Sequence, residues 1–119
     1  MSLKVKVKHH ITCNELYLEG SPLTDQDFFP LQKQLDLLIN NQESKIILNL
    51  EGVKLLNSLG INNLIKVMTK CRNHGGDLYI VNISDKISHV LLLTKLNTVL
   101  NIAASLNEAI NKFAIDNES

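Results

Sequence analysis

Two nearly continuous aliphatic runs, residues 45–50 and 78–83, restrict the possible folds more than any other feature of the sequence. Such runs are typical of strands covered on both faces, and these strands lie parallel and are joined by right-handed crossovers. The crossover is predicted to be a helix, because apolar residues recur there at helical spacing opposite a polar face that includes Asn62 and Asn63. The apolar stripe consists of Ile61, Leu64, Ile65, Met68 and Cys71. This unit predicts an α/β domain with parallel central strands.

Patterns on both sides of this unit complete a predicted order of β-β-α-β-α-β-α-β-α. Lysine and valine alternate over residues 4–8, and residues 15–19 follow after a turn, so these two strands are expected to pair antiparallel. A short fifth strand is predicted near residues 99–102. Further helices are predicted over about residues 28–40, 86–93 and from 105 onward, the last with a Ser-x-x-Glu capping box. The sheet is therefore expected to be mixed.

Polar residues with short side chains mark where the helices begin. For the first helix we favour Asp27 over Thr24 as the cap, because Pro30 then lies in the first turn, where its missing N–H is not needed. Ser58 is a favoured residue for the start of the second helix, and Ser84 for the start of the third.

Length and composition place the chain in one broad class of protein. Its 119 residues, 45% of them hydrophobic, suffice for the core of one domain, so we expect a single domain over residues 1–119 whose last residues, 116–119, fray. Twelve basic residues balance twelve acidic ones, so no basic surplus points to nucleic acid. The longest aliphatic run, residues 90–93, falls far short of the roughly 20 apolar residues of a membrane span. We expect a cytoplasmic protein without membrane insertion that is a monomer in isolation.

Residue types that carry catalysis or bind metals are present, but not in a usable pattern. The chain has no glycine-rich phosphate loop and no zinc-protease or serine-hydrolase motif. His9 and His10 are neighbours on a predicted strand end, so their side chains point to opposite faces and cannot share a metal. Cys13 and Cys71 form no Cys-x-x-Cys pair, and Cys71 lies on an apolar helix face, where a thiol acts as a small hydrophobic group. We therefore predict no enzyme activity, no cofactor and no metal site.

Residues 55–61 join the first aliphatic strand to the helix that follows it. Such a helix begins at the carboxyl edge of a parallel sheet, where folds of this class place their binding sites. Ser58 suits a helix start without any further function. However, Gly60 is expected to leave the first turn uncovered, which would open the Ser58 hydroxyl to another protein. A phosphate there would be stabilised by the helix dipole and free amide groups, so it would add about −1.5 to −2 charges with little harm to the domain.

Residues 46–61, which end in the box Asn-Ser-Leu-Gly at 57–60, resemble the central motif of STAS domains, the anti-sigma-factor antagonists. Residues 74–82 are similar to the Gly-Gly-strand segment of that family, and residues 84–96 and 105–110 fit its two closing helices. The resemblance covers essentially the whole chain, and only the box is specific for function. It implies the STAS fold, with about four helices packed mainly on one face of a mixed sheet.

The resemblance also implies a mechanism. Members of the family bind an anti-sigma factor, often itself a serine/threonine kinase, and so release a sigma factor for transcription. The kinase phosphorylates a residue of the box, and a phosphatase reverses the modification. By position, Ser58 matches the phosphoacceptor. The residues expected to contact the partner are Asn57, Ser58, Leu59, Gly60 and Asn62.

Three positions depart from the family pattern. Asn57 replaces an acidic residue, Leu59 replaces a small one, and Lys95 stands where the family commonly has glycine. Other functions therefore stay open. One alternative is a STAS subunit of a membrane transporter complex, docked constitutively on its ATPase through the same edge. Another is a sensor that binds a small ligand with the loop over residues 51–57.

Overall fold

The computed structural model describes residues 2–118, with side chains up to residue 115. The elements are strand β1 (Lys4–His9), strand β2 (Asn14–Glu19), a 3-10 helix (Asp25–Phe28), helix α1 (Phe29–Asn40), strand β3 (Lys45–Gly52), helix α2 (Ser58–Asn73), strand β4 (Asp77–Val81), helix α3 (Asp85–Leu93), a second 3-10 helix (Leu96–Thr98) and helix α4 (Leu106–Glu118). Fraying was expected over residues 116–119. The side chains of residues 116–118 and the whole of Ser119 lie outside the described part of the chain.

The described strands form one mixed sheet, as expected, and their order in it is β1-β2-β3-β4. β1 pairs antiparallel with β2, whereas the β2–β3 and β3–β4 pairs are parallel. The predicted fifth strand is wrong, because only a single bridge joins Ile102 to Ile80 of β4. The Ile80 N–H donates to the Asn101 carbonyl at 2.8 Å, and the Ala103 N–H donates to the Ile80 carbonyl at 3.0 Å. The chain thus crosses the edge of β4 for one residue pair and does not run along it.

Buried side chains form two clusters, one on each face of the sheet. We call the larger one the main core, in which alternate strand residues such as Leu16, Leu48 and Ile80 pack against α1, α2 and α3. We call the smaller one, beneath α4, the minor core. It consists of Cys13, Ile47, Val81, Ala103, Ala109 and Phe113. Three helices therefore cover one face and a single helix covers the other, which agrees with helices packed mainly on one face.

The start of α1 differs from the prediction. The residue before the helix is Phe28, which makes no side-chain cap, so Asp27 is not the N-cap of α1. Its carboxylate instead accepts hydrogen bonds from the backbone N–H groups of Leu23 at 2.8 Å and Thr24 at 3.1 Å. These bonds lower the pKa of Asp27 to about 2, and the bond from Leu23 has the larger effect. Asp27 therefore stabilises the preceding 3-10 helix, and Pro30 lies in the first turn of α1 as expected.

Other helix boundaries follow the predicted signals. Ser84 caps α3 by accepting a hydrogen bond from the Ile87 N–H at 3.2 Å. Ser105 accepts one from the Glu108 N–H at 3.1 Å at the start of α4. Strand β4 is shorter than predicted, because Asn82 adopts a left-handed backbone conformation with a φ of 58° that an extended strand cannot contain.

Both cysteines are free thiols inside the protein. Cys71 is fully buried in the main core, and this burial raises its pKa to about 12. Burial also raises the pKa of Cys13. A thiol that stays protonated in an apolar setting is unreactive, so the prediction that Cys71 acts as a small hydrophobic group is confirmed.

Candidate functional site

The loop that follows β3 brings Ser58 to the carboxyl edge of the parallel strands, as expected. Strand β3 ends at Gly52, and α2 begins at Ser58. The Ser58 side chain is exposed, and no hydrogen bond joins its hydroxyl to another residue within 2–118. Ser58 therefore offers a free hydroxyl in the first turn of a helix, where amide N–H groups and the helix dipole favour negative charge.

Asn57, and not Ser58, caps α2. The Asn57 Oδ1 accepts a hydrogen bond from the Gly60 N–H at 2.9 Å, and its carbonyl accepts one from the Ile61 N–H at 3.1 Å. The prediction that Ser58 starts the helix as its cap is therefore wrong by one residue. Asparagine caps a helix as well as serine does, and here it lies one position earlier. The consequence is that capping does not occupy the Ser58 hydroxyl.

Gly60 is buried, so the expectation that it leaves the first turn uncovered is wrong. A Cβ atom at this position would lie 2.9 Å from the Leu56 Cδ2 and 3.3 Å from the Phe28 Cζ. The absence of a side chain lets these two apolar residues pack directly against the first turn of α2. Access to Ser58 comes from its own exposed position, and Gly60 holds the turn against the core.

The other predicted contact residues are divided between the surface and the core. Asn62 is exposed, and with Ser58 it lines a depression of 290 Å³ that Asp25 and Lys66 also border. Leu59 is half-buried and packs against the main core. One acidic and one basic side chain flank the depression, so the surface around Ser58 has no dominant charge of its own.

Asn63 was expected on the polar face of α2, but it is buried, with 2% of its surface exposed. Its Nδ2 donates to the Asp25 Oδ1 at 3.1 Å and to the Leu59 carbonyl at 3.0 Å, and its Oδ1 accepts from the Gln32 Nε2 at 3.2 Å. Helical periodicity cannot reveal this arrangement, because two of the partners are 31 and 38 residues away. Asn63 ties α1 and the first 3-10 helix to α2 beside Ser58.

An apolar surface lies next to the capped helix start, and the sequence patterns did not single it out. Leu23 and Leu55 are 65% and 56% exposed, and together with Pro22 and Asn57 they line a depression of 270 Å³. The Asn57 Nδ2 lies 3.4 Å from the Leu23 carbonyl and so links the two sides of this depression. Exposed apolar residues grouped in this way are typical of surfaces that dock another protein. We call Leu23, Leu55, Asn57, Ser58 and Asn62 together the docking edge.

Lys95, where the resemblance implies glycine, adopts a backbone conformation that suits glycine. Its backbone lies in the left-handed region, with φ 60° and ψ 18°, directly after the end of α3. Glycine adopts this conformation freely, whereas a side chain makes it strained. The departure at Lys95 is therefore a local cost to stability, at a distance in sequence from the docking edge.

The histidines predicted to be a polar strand end contact neighbouring side chains. His9 Nδ1 contacts the Asn14 Oδ1, and His10 Nε2 lies 2.9 Å from the Glu15 Oε1. Glu15 is buried, and its Oε2 accepts a hydrogen bond from the Asn49 Nδ2 at 2.9 Å. Across residues 2–118, the structure groups no three histidine, cysteine or acidic side chains in a way that could hold a metal ion. Among the helices described, none has the length and apolar character that crossing a membrane demands.

Comparison with known proteins supplies the family. The STAS domain model matches residues 20–109. A candidate anti-sigma factor antagonist from Thermotoga maritima has a TM-score of 0.80 at 22% identity, over 92% of this chain and 94% of its own. An anti-sigma factor antagonist from Mycobacterium paratuberculosis has a TM-score of 0.76 at 18% identity, over 95% of both chains. The Bacillus cell fate determinant SpoIIAA, in its phosphorylated form, has a TM-score of 0.66 at 18% identity, over 92% of this chain and 98% of its own. The match of the family model to most of the chain, together with this shared fold, shows that the protein belongs to the STAS domain family.

Proposed function

We propose that this protein is a cytoplasmic anti-sigma factor antagonist, which binds an anti-sigma factor with serine kinase activity through the docking edge. The observation that carries the proposal is the free, exposed hydroxyl of Ser58 beside the exposed apolar side chains of Leu23 and Leu55. The apolar residues supply area that a partner can cover, and the hydroxyl supplies a position where that contact can be switched. The protein then works as a binding module and not as an enzyme.

Phosphorylation of Ser58 by this kinase would act on the contact with the partner and leave the domain folded. The Asn57 cap takes the N–H groups of Gly60 and Ile61, and no hydrogen bond in the described chain uses those of Ser58 and Leu59. These two amides, at the positive end of the helix dipole, would stabilise a phosphate. The added charge of about −1.5 to −2 would then have to be removed from water whenever a partner covers the edge. Docking is therefore favoured in the unmodified protein and opposed in the phosphorylated one, and a cognate phosphatase restores it.

Structures of a relative support a phosphorylation switch. SpoIIAA, which has this fold, has been solved in a phosphorylated and in an unphosphorylated form. The exposed position of Ser58 in this protein is compatible with the same kind of modification. Asn57 keeps the capping role that an acidic residue would have, so the loss of that charge leaves the local geometry intact.

The predicted contact residues would contribute in two different ways. Asn57, Ser58 and Asn62 are exposed and would touch the partner directly. Gly60 is buried and Leu59 is half-buried, so they would act mainly by fixing the first turn of α2 against the main core. Leu23 and Leu55 are added to the predicted set, because they provide the exposed apolar area.

The test is an affinity capture from the native lysate with mass spectrometry, which identifies the partner and any phosphate on Ser58 together. The wild-type protein and Ser58→Ala are expected to capture an anti-sigma kinase, whereas Ser58→Asp should capture at least about tenfold less, because the charge opposes docking. Ser88→Asp is the matched control, since Ser88 is an exposed serine on α3, and it should capture as much as the wild type. Equal capture by Ser58→Asp would overturn the switch.

The same capture tests the transporter alternative, and a calorimetric titration tests the small-ligand alternative. A transporter subunit that docks constitutively would capture an ATPase equally well as wild type and as Ser58→Asp. A small-ligand sensor would bind nucleotides or lipids in calorimetric titrations, and Leu55→Asp in the loop over residues 51–57 would reduce that binding. An anti-sigma factor antagonist should give no heat in these titrations.

A further inference from the structure

The two outer edges of the sheet are treated differently. The edge of β4 is partly closed by the bridge to Ile102. Along β1, one hydrogen bond is enough to identify the backbone N–H groups that point away from β2, because successive residues of a strand direct their N–H groups to opposite sides. The Leu3 N–H donates to the Asp27 carbonyl at 3.0 Å, away from β2, so Val5 and Val7 also face outward. Within residues 2–118 no hydrogen bond covers the outward N–H of Val5 or Val7.

A groove runs beside this open edge, on the same side of the sheet as the main core. Its volume is 830 Å³, and Val5 of β1 and Phe29, Pro30 and Leu37 of α1 line it. Phe29 and Leu37 are 56% and 52% exposed, which is unusual for large apolar side chains. A strand added next to β1 would direct every second side chain into this groove.

The other face of β1 is a row of positive charge. Lys4, Lys6 and Lys8 are exposed and alternate with the two valines, so their side chains lie on the face away from the groove. On β2, glutamates lie opposite Lys4 and Lys8, whereas Lys6 lies opposite a tyrosine and has no acidic cross-strand neighbour there. A second copy paired through its own β1 would place lysines beside lysines, which like-charge repulsion opposes. A strand with acidic residues at the matching positions would form favourable cross-strand pairs with the same lysines.

We propose that the edge of β1 binds an extended segment of a partner protein in which apolar residues alternate with acidic ones, as an additional antiparallel or parallel strand. The backbone groups of Val5 and Val7 supply the hydrogen bonds, which is the mode of recognition called β-augmentation. The apolar side chains enter the groove against Phe29 and Leu37. The acidic side chains lie beside Lys6 and its neighbours, and this charge pattern selects the partner against other extended segments.

This site is separate from the docking edge and does not depend on the function proposed for it. Its backbone donors belong to β1, whereas Ser58 belongs to α2. Ser58→Asp should therefore bind the segment as the wild type does, and a failure of either proposal leaves the other standing.

The experiment is a fluorescence-anisotropy titration with a short labelled peptide in which valine and glutamate alternate. The expected result is saturable one-to-one binding with a Kd below about 1 mM, weakened by added salt. Lys6→Glu should weaken it about tenfold, because it replaces an attractive cross-strand pair with a repulsive one. Lys86→Glu, at an exposed lysine of α3 outside the groove, is the matched control and should bind normally. Amide exchange at Val5 and Val7, measured by NMR, should slow when the peptide binds.

Four outcomes would overturn the proposal. These are no binding at that concentration, equal binding of Lys6→Glu, undiminished binding of both peptides that are methylated at alternate backbone nitrogens, one along each edge, and concentration-dependent dimerisation of the protein through β1. The methylated peptides separate backbone pairing from simple charge attraction, because they keep the glutamates and remove the hydrogen-bond donors of one edge. A peptide with valine and lysine alternating should not bind.

Discussion

The two faces of the sheet bury apolar surface very unequally. On one face the main core joins β2, β3 and β4 to three helices, with Leu16, Leu48 and Ile80 fully buried. On the other face α4 packs on β3 and β4, and the minor core is small. Towards β1 this second face carries polar residues, among them Glu15 and Asn49. Apolar burial on one face therefore supplies most of the stability of the fold, whereas a single helix covers the other face.

Both proposed binding surfaces are built on elements of the main core. Ser58 opens α2, whose apolar stripe is buried there, and Val5 packs against the same cluster. A surface presented by elements that are fixed from beneath keeps its geometry when a partner arrives, so docking loses little conformational entropy. The minor core, in contrast, supports neither surface.

The largest expected effect comes from a cavity in the main core. Leu48 is completely buried in β3, and Leu48→Ala should lower the free energy of unfolding by about 4 kcal/mol, since the surrounding strands cannot collapse into the space. Urea unfolding followed by circular dichroism measures this. Leu93→Ala, at a leucine that is 70% exposed, is the matched control and should change stability by less than about 0.5 kcal/mol. A loss at Leu48 no larger than at Leu93 would contradict the assignment of this core.

The second prediction concerns the minor core. Phe113 of α4 is buried between this helix and the sheet, and its ring centroid lies 5.1 Å from that of Tyr79 in an edge-to-face arrangement. Phe113→Ala should cost about 3 kcal/mol, at the low end for such a change, because α4 can adjust or undock locally. Hydrogen exchange should speed up in α4 and stay slow in β3. Equal acceleration in both elements would show that the two cores unfold as one unit, which would contradict the difference in stability between them.

Hydrophobic periodicity predicted the main core well, and its failures have definite physical causes. Four members of the predicted stripe on α2 are buried as expected and Ile65 is half-buried, because apolar spacing reports directly which face of a helix meets the sheet. Asn63 was placed on the polar face, since spacing does not show that Asp25 and Gln32 lie close enough to satisfy a buried amide. A strand was predicted near Ile102, because a β-prone segment does not show how many residue pairs its neighbour can offer.

At the docking edge the sequence predicted the place of Ser58 but not its surroundings. Its position after a buried parallel strand follows from the order of elements alone. Leu23 adds apolar surface to the docking edge from a loop that lies 34 residues before Asn57 in the sequence. No local pattern connects that loop to Asn57. The cap was misplaced by one residue, since Asn57 and Ser58 are both favourable and only the backbone geometry distinguishes them.

The smallest expected effect leaves both cores intact and so gives the baseline for the first two. Lys95→Gly should raise stability by about 0.5–1 kcal/mol, because relief of the left-handed strain exceeds the entropy that glycine adds to the unfolded chain. A thermal scan should show a rise in Tm of about 3 °C. The matched control is Lys66→Gly, at an exposed lysine inside α2, where the same change should lower stability by about 1 kcal/mol, since the helix loses a good former. Stability changes of opposite sign for the same substitution would trace the effect to the backbone conformation of Lys95. A loss of stability at both positions would show that this conformation is not strained.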